Sequence, residues 1–245
     1  MDVDWGVVGV LAVIFFATTI RSAFGFGEAL IAVPLLALLI PVEVAVPLAV
    51  LVSITVAAVI IVQDWQHVHF ASAWRLVIST LFGIPFGLWL LTAVAEPVVK
   101  AVLAVVIVAF SIFCLIGRSR VELKDERLAW VFGFFAGILG GAYGMNGPPL
   151  VIYGALRHWS PERFRATLQG YFLPASVVGM AGYWLTGLWV PAVNRYFLLS
   201  LPLAIGAIFA GRWLNRRMKG QRFLIYVHAG LILVGISLLA QAVWR

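Results

Sequence analysis

The chain has 245 residues, of which 63% are hydrophobic and 11% are charged, whereas an ordinary soluble domain has roughly 45–50% apolar and about 25% charged residues. This composition excludes a soluble globular domain and predicts an all-α, polytopic membrane protein. The formal net charge of +7 does not indicate a nucleic acid partner, because Lys and Arg fall in short loops between apolar runs, as topology signals do.

Apolar runs follow one another along almost the whole chain. Six of them approach or exceed the ~20 residues that cross a ~30 Å hydrocarbon core. These long runs are residues 42–62, 73–95, 98–117, 166–188, 197–214 and 223–243. The shorter runs are residues 5–20, 30–40, 128–139 and 149–156. Because the short runs flank two interruptions, we expect them to be arms of broken helices and too short to span the membrane.

The two interruptions, residues 21–29 and 140–149, place glycines, prolines or charges where a membrane helix should be intact. Irregular backbone at membrane depth is tolerated only where it is buried in protein or lines a watery cavity. One break in each half of the chain is typical of the binding site of a secondary transporter. We therefore expect the two breaks to meet near the membrane midplane.

The distribution of basic residues distinguishes a hairpin from a kinked helix at each break. If residues 118–127 are cytoplasmic, a re-entrant hairpin at the second break returns the later basic loops to the cytoplasm, whereas a kinked spanning helix would put them outside. The basic residues of those later loops are Arg157, Arg163, Arg165, Arg216, Arg217, Lys219 and Arg222. Their positions predict re-entrant hairpins in a multi-pass protein of the cell (inner) membrane.

The two halves of the chain resemble each other at one constant offset. The matching stretches are residues 15–17 with 134–136 and residues 23–25 with 142–144. We predict one membrane transporter domain over residues 1–245. Its predicted parts are repeat 1 at residues 1–117, a cytoplasmic linker at 118–127 and repeat 2 at 128–245. Each repeat would hold one broken hairpin and three transmembrane helices, and this odd number of crossings makes the two repeats inverted.

The segments around both breaks resemble a known family. The first reads Gly25-Phe26-Gly27-Glu28-Ala29, followed by Val33-Pro34-Leu35-Leu36, and the second runs from Gly137 to Gly147 and ends in Pro148-Pro149. These segments are similar to the signatures of the sulfite exporter TauE/SafE family of membrane permeases. The resemblance implies export or uptake of small sulfur-containing or organic anions such as sulfite, sulfoacetate or related sulfonates. The chain departs from the family at Glu28 and Ala29, where further glycines are usual.

The residue types at the breaks also indicate an anion. The second arm of each hairpin is expected to begin at the break, at Ala29 and Pro148, so two helix N-termini with unpaired N–H groups would point at the membrane centre. Glycines that would let the backbone approach a ligand are Gly25, Gly27, Gly144 and Gly147. The glycines in and beside the second break, and the pair Gly83 and Gly87, also fit the spacing of tight helix packing, so packing alone stays an alternative.

Arg21 is the candidate counter-charge for the anion. A charge at bilayer depth costs at least ~2.5–3.5 kcal/mol, so it normally faces the bundle interior and marks a functional site. Glu28 is its expected neighbour across the break, either as a proton acceptor or gate, or as the partner in a structural ion pair. Further candidate hydrogen-bond donors to the anion are Tyr143, Asn146 and Gln169.

Other chemistry has weaker support in the sequence. His67 and His69 alternate near Asp64, but two loop histidines without further ligands favour surface residues over a metal site. The second break lacks the Gly-Lys-Ser/Thr ending of a P-loop, and no hydrolase motif occurs. We therefore expect no cofactor, no ATP-driven transport and no enzymatic activity.

The sequence thus predicts a secondary transporter, or permease, for a small organic or sulfur-containing anion held between the two hairpin tips. An anion channel that uses the same residues is the main alternative, and an intramembrane enzyme is a weaker one. A proton or a sodium ion is the candidate coupling ion, and assembly into a homo-oligomer is left open.

Overall fold

A computed structural model of the chain describes residues 5–64, 70–116, 123, 125–159, 161–217, 231–233, 235–236 and 239–240. Within these residues the structure consists of helices joined by short turns and has no strand, as predicted. The helices are α1 (Trp5–Phe24), α2 (Glu28–Leu36), α3 (Val42–Asp64), α4 (Phe70–Ala93), α5 (Glu96–Ile116), α6 (Leu128–Tyr143), α7 (Gly147–Leu156), α8 (Pro161–Leu185) and α9 (Pro191–Arg217). Outside the described residues lie His67, His69, most of the predicted span 223–243 and most of the linker 118–127.

Several of the described helices have the length and composition of membrane spans. By these two criteria the candidates are Trp5–Ala23, Val42–Val59, Ala73–Ala93, Glu96–Ile116 and Pro191–Leu214. Large apolar side chains also cover the outside of the bundle. On α4, for example, Phe82, Phe86 and Trp89 are 64%, 59% and 63% exposed. Such a surface suits lipid and not water, so the chain is a multi-pass membrane protein.

The expected length of the first arm was wrong. We expected the first apolar run to end at residue 20 and to be too short to span, but α1 continues through Arg21 to Phe24 and is long enough. Arginine is a good helix former, and the charge of Arg21 is paired with Glu28 inside the protein. The charge therefore does not end the helix, which stops only at the glycine that follows Phe24.

Both breaks turn the chain back into a hairpin, as predicted. In hairpin 1 (α1 and α2), a Cβ built on Gly9 would lie 3.2 Å from Leu39 Cδ1, so the chain returns to the level of early α1. In hairpin 2 (α6 and α7), the ring centroids of Phe132 and Tyr153 are 5.4 Å apart. A kinked continuous helix would hold these residues at opposite ends of its two arms.

The end of hairpin 2 opposite its break lies beside the described part of the linker, residues 118–127. Arg75 at the start of α4 pairs with Glu126 Oε2, and Arg157 NH2 lies 3.5 Å from Glu126 Oε1. Arg157 also donates from NH1 to Leu123 O at 3.0 Å. The basic residue after α7 and the described part of the linker therefore share one end of the bundle, which a hairpin requires.

The helix boundaries follow the sequence repeat. At its constant offset, the ends of α1 and α6, the starts of α2 and α7, and the starts of α3 and α8 coincide: Phe24 with Tyr143, Glu28 with Gly147, and Val42 with Pro161. The main packing partners are α1 with α9, α4 with α6, and α3 with α8. At the offset of the repeat, α1 corresponds to α6, α4 to α9, and α3 to α8. Replacing each helix by its equivalent turns the pair of α1 with α9 into the pair of α6 with α4, and leaves the pair of α3 with α8 unchanged. The inverted orientation of the repeats stays a prediction.

Glycines bring the backbones of α4 and α6 into direct contact. A Cβ built on Gly83 would lie 2.1 Å from Phe134 O, and one built on Gly87 would lie 2.1 Å from Ile138 O. Small residues permit such close approach between membrane helices. The packing interpretation is therefore confirmed for these two glycines.

We expect Gly87→Ala to lower the melting temperature of the purified protein, because the added methyl group would meet the backbone of α6. The matched control is Gly206→Ala in α9, where a Cβ would have nothing within 4 Å. Replacing an open helical Gly by Ala favours folding by about 0.5–1 kcal/mol. Thermal unfolding in detergent measures both effects, and equal melting temperatures would contradict the close contact between α4 and α6.

Candidate functional site

Both hairpins turn at a glycine in the left-handed conformation. Gly25 (φ 85°) and Gly144 (φ 64°) directly follow the last residues of α1 and α6. The Gly25 N–H donates to Arg21 O at 2.6 Å, and the Gly144 N–H donates to Gly140 O at 2.8 Å. Left-handed glycine commonly caps a helix C-terminus, because it has no Cβ to clash in that conformation. The same local geometry therefore ends the first arm of each hairpin.

The second arms begin one residue earlier than predicted. Helix α2 begins at Glu28 and α7 at Gly147, next to the predicted Ala29 and Pro148. Pro148 and Pro149 occupy the first turn of α7, where a missing N–H costs nothing. Each start is a helix N-terminus, with partial positive charge and N–H groups that have no intrahelical partner.

A cavity lies between the two breaks. Six residues predicted for the site line it: Arg21, Gly27, Glu28, Gly144, Asn146 and Gly147. A Cβ built on Gly27 or Gly147 would have nothing within 4 Å, so the backbone there borders open space. The other helices contribute Ser53 of α3, Phe110 of α5, and Phe172 and Ser176 of α8. The fold thus brings residues of both hairpins together.

Arg21 and Glu28 form a buried ion pair across the first break. Their side chains are 3% and 2% exposed, and Arg21 NH1 lies 2.5 Å from Glu28 Oε2. The same NH1 lies 2.5 Å from Ser53 Oγ. Thr18 Oγ1 donates to Glu28 Oε1 at 2.8 Å, and the ring centre of Phe172 is 5.3 Å from Arg21 Cζ, within cation–π range. Four helices therefore converge on this pair.

The other edge of the Arg21 guanidinium carries unused donors. Nε and NH2 are buried, and neither makes a hydrogen bond with any described residue. This edge can donate two parallel N–H bonds to two oxygens of a carboxylate or a similar oxyanion. A buried donor without an acceptor costs about 1–3 kcal/mol, and more when it is charged. The arrangement is suited to a bidentate oxyanion.

A chain of hydrogen bonds orients Asn146 at the second break. Thr80 Oγ1 donates to Gly133 O at 2.8 Å, so its contact of 2.6 Å with Tyr171 OH must be one that it accepts. Tyr171 in turn accepts from Asn146 Nδ2 at 3.1 Å. Since each hydroxyl has a single proton, the direction of the chain sets which way the Asn146 amide faces. Asn146 thus enters the cavity wall in a defined orientation.

The chain matches the family described as sulfite exporter TauE/SafE over residues 10–238, which include both breaks. It belongs to the sulfite exporter TauE/SafE family. No curated protein and no solved structure matches it. The family is one of membrane transporters, described by the sulfur-containing anion sulfite. This agrees with the oxyanion geometry at Arg21.

Three residues predicted for the site do not line the cavity of this TauE/SafE protein. Two of them are Gly25 and Gln169, and Gln169 Nε2 donates to Gly25 O at 2.8 Å, which joins α8 to the first break. The third is Tyr143, whose hydroxyl donates to Val99 O at 3.0 Å and joins α6 to α5. In these contacts the side chains hydrogen-bond to backbone carbonyls and hold the walls of the cavity in place.

The residues around Arg21 that sequence reasoning missed are Thr18, Ser53 and Phe172. A single hydroxyl in an apolar helix gives no sign of the direction in which it points. The repeat does contain a signal, because its constant offset pairs Ser53 of α3 with Phe172 of α8. In this TauE/SafE protein both of these equivalent positions contact Arg21.

We expect Gly144→Ala to destabilise the protein, because its φ of 64° strains any residue that has a Cβ and because that Cβ would lie 2.6 Å from Val50 Cγ2. The left-handed conformation alone costs about 1–2 kcal/mol. Gly147→Ala is the control at the same break, where the Cβ meets open space. Melting temperatures in detergent compare the two, and a Gly144→Ala variant as stable as Gly147→Ala would refute the strain at the turn.

Proposed function

We propose that this chain is a secondary transporter that moves a small sulfur-containing or organic anion across the cell membrane. Candidate substrates are sulfite, sulfoacetate, other sulfonates and short carboxylates. The family supports transport of a sulfur-containing anion. The cavity between the hairpin tips supports a binding site at that position, because broken helices at membrane depth line the substrate sites of many transporters.

The observation that carries this proposal is the unused Nε and NH2 edge of Arg21. Its donors are buried without a partner among the described residues, while NH1 is already occupied by Glu28 and Ser53. An oxyanion that accepts two hydrogen bonds from this edge would satisfy both nitrogens. Bonds from a guanidinium to an anionic oxygen are roughly twice as strong as those between neutral groups, so the site favours an anion over a neutral or a cationic substrate.

The second hairpin supplies neutral donors to the same cavity. Asn146, with its side-chain amide, and Gly147, with its backbone N–H, line the cavity at the start of α7, and a helix N-terminus favours negative charge by about 0.3–1 kcal/mol at an exposed site and up to ~2 kcal/mol when partly buried. Gly27 and Gly147 carry no side chain that would keep an anion away from the backbone. We propose that Arg21, Gly27, Asn146 and Gly147 contact the substrate.

We also propose that the two repeats, residues 1–117 and 128–245, are inverted and give alternating access to the cavity. The recurring helix boundaries and the symmetric packing of α1 with α9 and α4 with α6 support this arrangement. Inverted repeats commonly move against each other around a fixed site. Accumulation of the anion against its gradient distinguishes such a carrier from a channel built on the same residues.

The role of Arg21 is tested by substitution. Arg21→Gln alone should destabilise the protein, because it leaves Glu28 as a buried, unpaired acid. Adding Glu28→Gln should restore stability but not binding. Because a hydrogen bond to a charged group contributes about 1.5–3 kcal/mol, the double variant should bind sulfite or sulfoacetate roughly 100-fold more weakly than Glu28→Gln alone. Arg21→Lys should lose about tenfold, because an ammonium group lacks the planar edge.

Equilibrium binding and thermal stability of each purified variant are the measurements. Arg195→Gln is the matched control, since Arg195 is an exposed arginine and the fifth residue of α9. It should leave both quantities unchanged. A double variant that binds the anion as tightly as Glu28→Gln would assign Arg21 a purely structural role and refute the proposed site.

The proposed topology is tested by labelling single cysteines. Cys114→Ser gives a background without cysteine, into which His158→Cys, Arg217→Cys and Ala95→Cys can be introduced. We expect an impermeant thiol reagent to label only the Ala95→Cys variant in intact cells, because positions 158 and 217 lie in or beside basic, cytoplasmic loops. Strong labelling of either of those two variants from outside would contradict the proposed orientation.

A further inference from the structure

The cavity contains a balanced pair of charges. Among the described residues that line it, the charged ones are Arg21 and Glu28, and the others are glycine, apolar or neutral polar residues such as Ser53 and Asn146. The pair has no net charge by itself. A monovalent anion on the Nε and NH2 edge would therefore give the site a net charge of minus one, with two anionic groups beside a single guanidinium.

The other charged residues on the helices that carry or contact Glu28 do not balance the negative charge that a bound anion would add to the site. Helices α1 and α2 contain no charged residue besides Arg21 and Glu28. The acids of α3 are Glu43 and Asp64, and they occupy the first turn and the last residue of that helix. Ser53, which contacts Arg21, lies between them and carries no charge.

The charged residues of α5 pair with each other and lie away from the part of α5 that lines the cavity. Lys100 Nζ lies 3.1 Å from Glu96 Oε1 in the first two turns of α5. The residue of α5 that lines the cavity is Phe110, well along the helix. Cys114 follows Phe110 by one turn and is a neutral thiol in an apolar run.

Hairpin 2 and α8 contribute tyrosines that already have partners. Tyr143 donates to Val99 O, and Tyr171 is held between Asn146 and Thr80. Helices α6 and α7 contain no charged residue. The charged residues of α8 fall within its first five positions: Glu162, Arg163 and Arg165.

We propose that Glu28 takes up one proton when the anion binds to Arg21, so that anion and proton cross the membrane together. This inference rests on the proposed function of the cavity. Two anionic groups beside one buried guanidinium repel each other strongly at low dielectric, and protonation of one of them removes that repulsion. Among the described lining residues, Glu28 is the acid positioned to accept this proton.

The step is a proton transfer from a hydronium ion and conserves charge. A hydronium ion on the side to which the cavity opens gives its proton to Glu28 Oε2, forming an O–H bond and leaving a water molecule. Arg21 NH1 gives up its ionic contact with that oxygen, and the guanidinium pairs with the anion. Thr18 continues to donate to Oε1, which becomes the carbonyl oxygen of the neutral acid. Release of the anion on the other side reverses the step.

Proton uptake can be counted during binding of methanesulfonate to the purified full-length protein. Methanesulfonate is the anion of a strong acid, so it brings no proton of its own. Calorimetric titration in two buffers of equal pH but different ionisation enthalpy gives the number of protons bound. We expect about one proton per anion and an affinity that falls by up to about tenfold for each unit rise in pH, as proton linkage requires.

Glu28→Gln should bind methanesulfonate with about zero protons and with an affinity that no longer depends on pH. The matched control is Glu43→Gln, because Glu43 is an exposed acid in the first turn of α3. This control should still take up about one proton, as the parent does. Proton uptake that persists in Glu28→Gln, or disappears in Glu43→Gln, would overturn the assignment to Glu28.

Measurements on the parent protein distinguish a failure of the proton coupling from a failure of the anion site, even if Glu28→Gln does not fold. Methanesulfonate binding without proton uptake would overturn the coupling and leave the anion site standing. No binding of methanesulfonate would remove the proposed anion site, and the coupling with it. In liposomes, coupled movement also predicts uptake that responds to a pH gradient and not to the membrane potential.

Discussion

The buried contact between Arg21 and Glu28 connects the parts of this protein that form the cavity. Arg21 lies in the last turn of α1 and Glu28 is the first residue of α2, so their ion pair closes hairpin 1 across its own break. Ser53 and Phe172 bring α3 and α8 to the same guanidinium. Buried ion pairs often contribute no more stability than well-packed apolar residues. Stability alone therefore does not account for this pair, and it leaves the Nε and NH2 edge of Arg21 without a hydrogen-bond partner among the described residues.

The two hairpins share a backbone geometry but not a chemistry. At the constant offset of the repeat, the positions of Arg21, Glu28 and Ser53 correspond to Gly140, Gly147 and Phe172. One half therefore carries the charges, and the other supplies glycine backbone and an aromatic face. A symmetric pair of charges would place two buried ion pairs in one small cavity, with twice the desolvation penalty. With this asymmetry, the described lining of the cavity contains a single ion pair.

The sequence predicted those features whose physical signal is local. A glycine that must adopt positive φ, a proline in a first turn and a charge inside an apolar run each restrict the structure without reference to distant residues. For this reason the breaks, the hairpins and the pair of Arg21 with Glu28 could be predicted. The length of α1 could not, because the pairing that lets Arg21 lie buried in a membrane helix is formed with Glu28 of α2.

Contacts that depend on the rotation of distant helices lay beyond the sequence. Gln169 and Tyr143 donate to the backbone carbonyls of Gly25 and Val99, and their contact with the anion stays a prediction. A polar side chain in an apolar helix needs some partner, and sequence alone does not distinguish a ligand from a carbonyl. Ser53 was missed for the same reason.

The close packing of α4 with α6 and of α1 with α9 has a mechanical consequence. Each long hairpin arm packs against a helix of the opposite repeat with glycine at the contact: Gly87 of α4 faces the backbone of α6, and a Cβ built on Gly211 of α9 would lie 2.4 Å from Thr19 O of α1. Such close contacts between backbones resist sliding of one helix along the other. A movement that opens the cavity would therefore carry hairpin 1 together with α9, and hairpin 2 together with α4. In such a movement each moving part would contain helices from both repeats, and α3 and α8 would be in contact between the two parts.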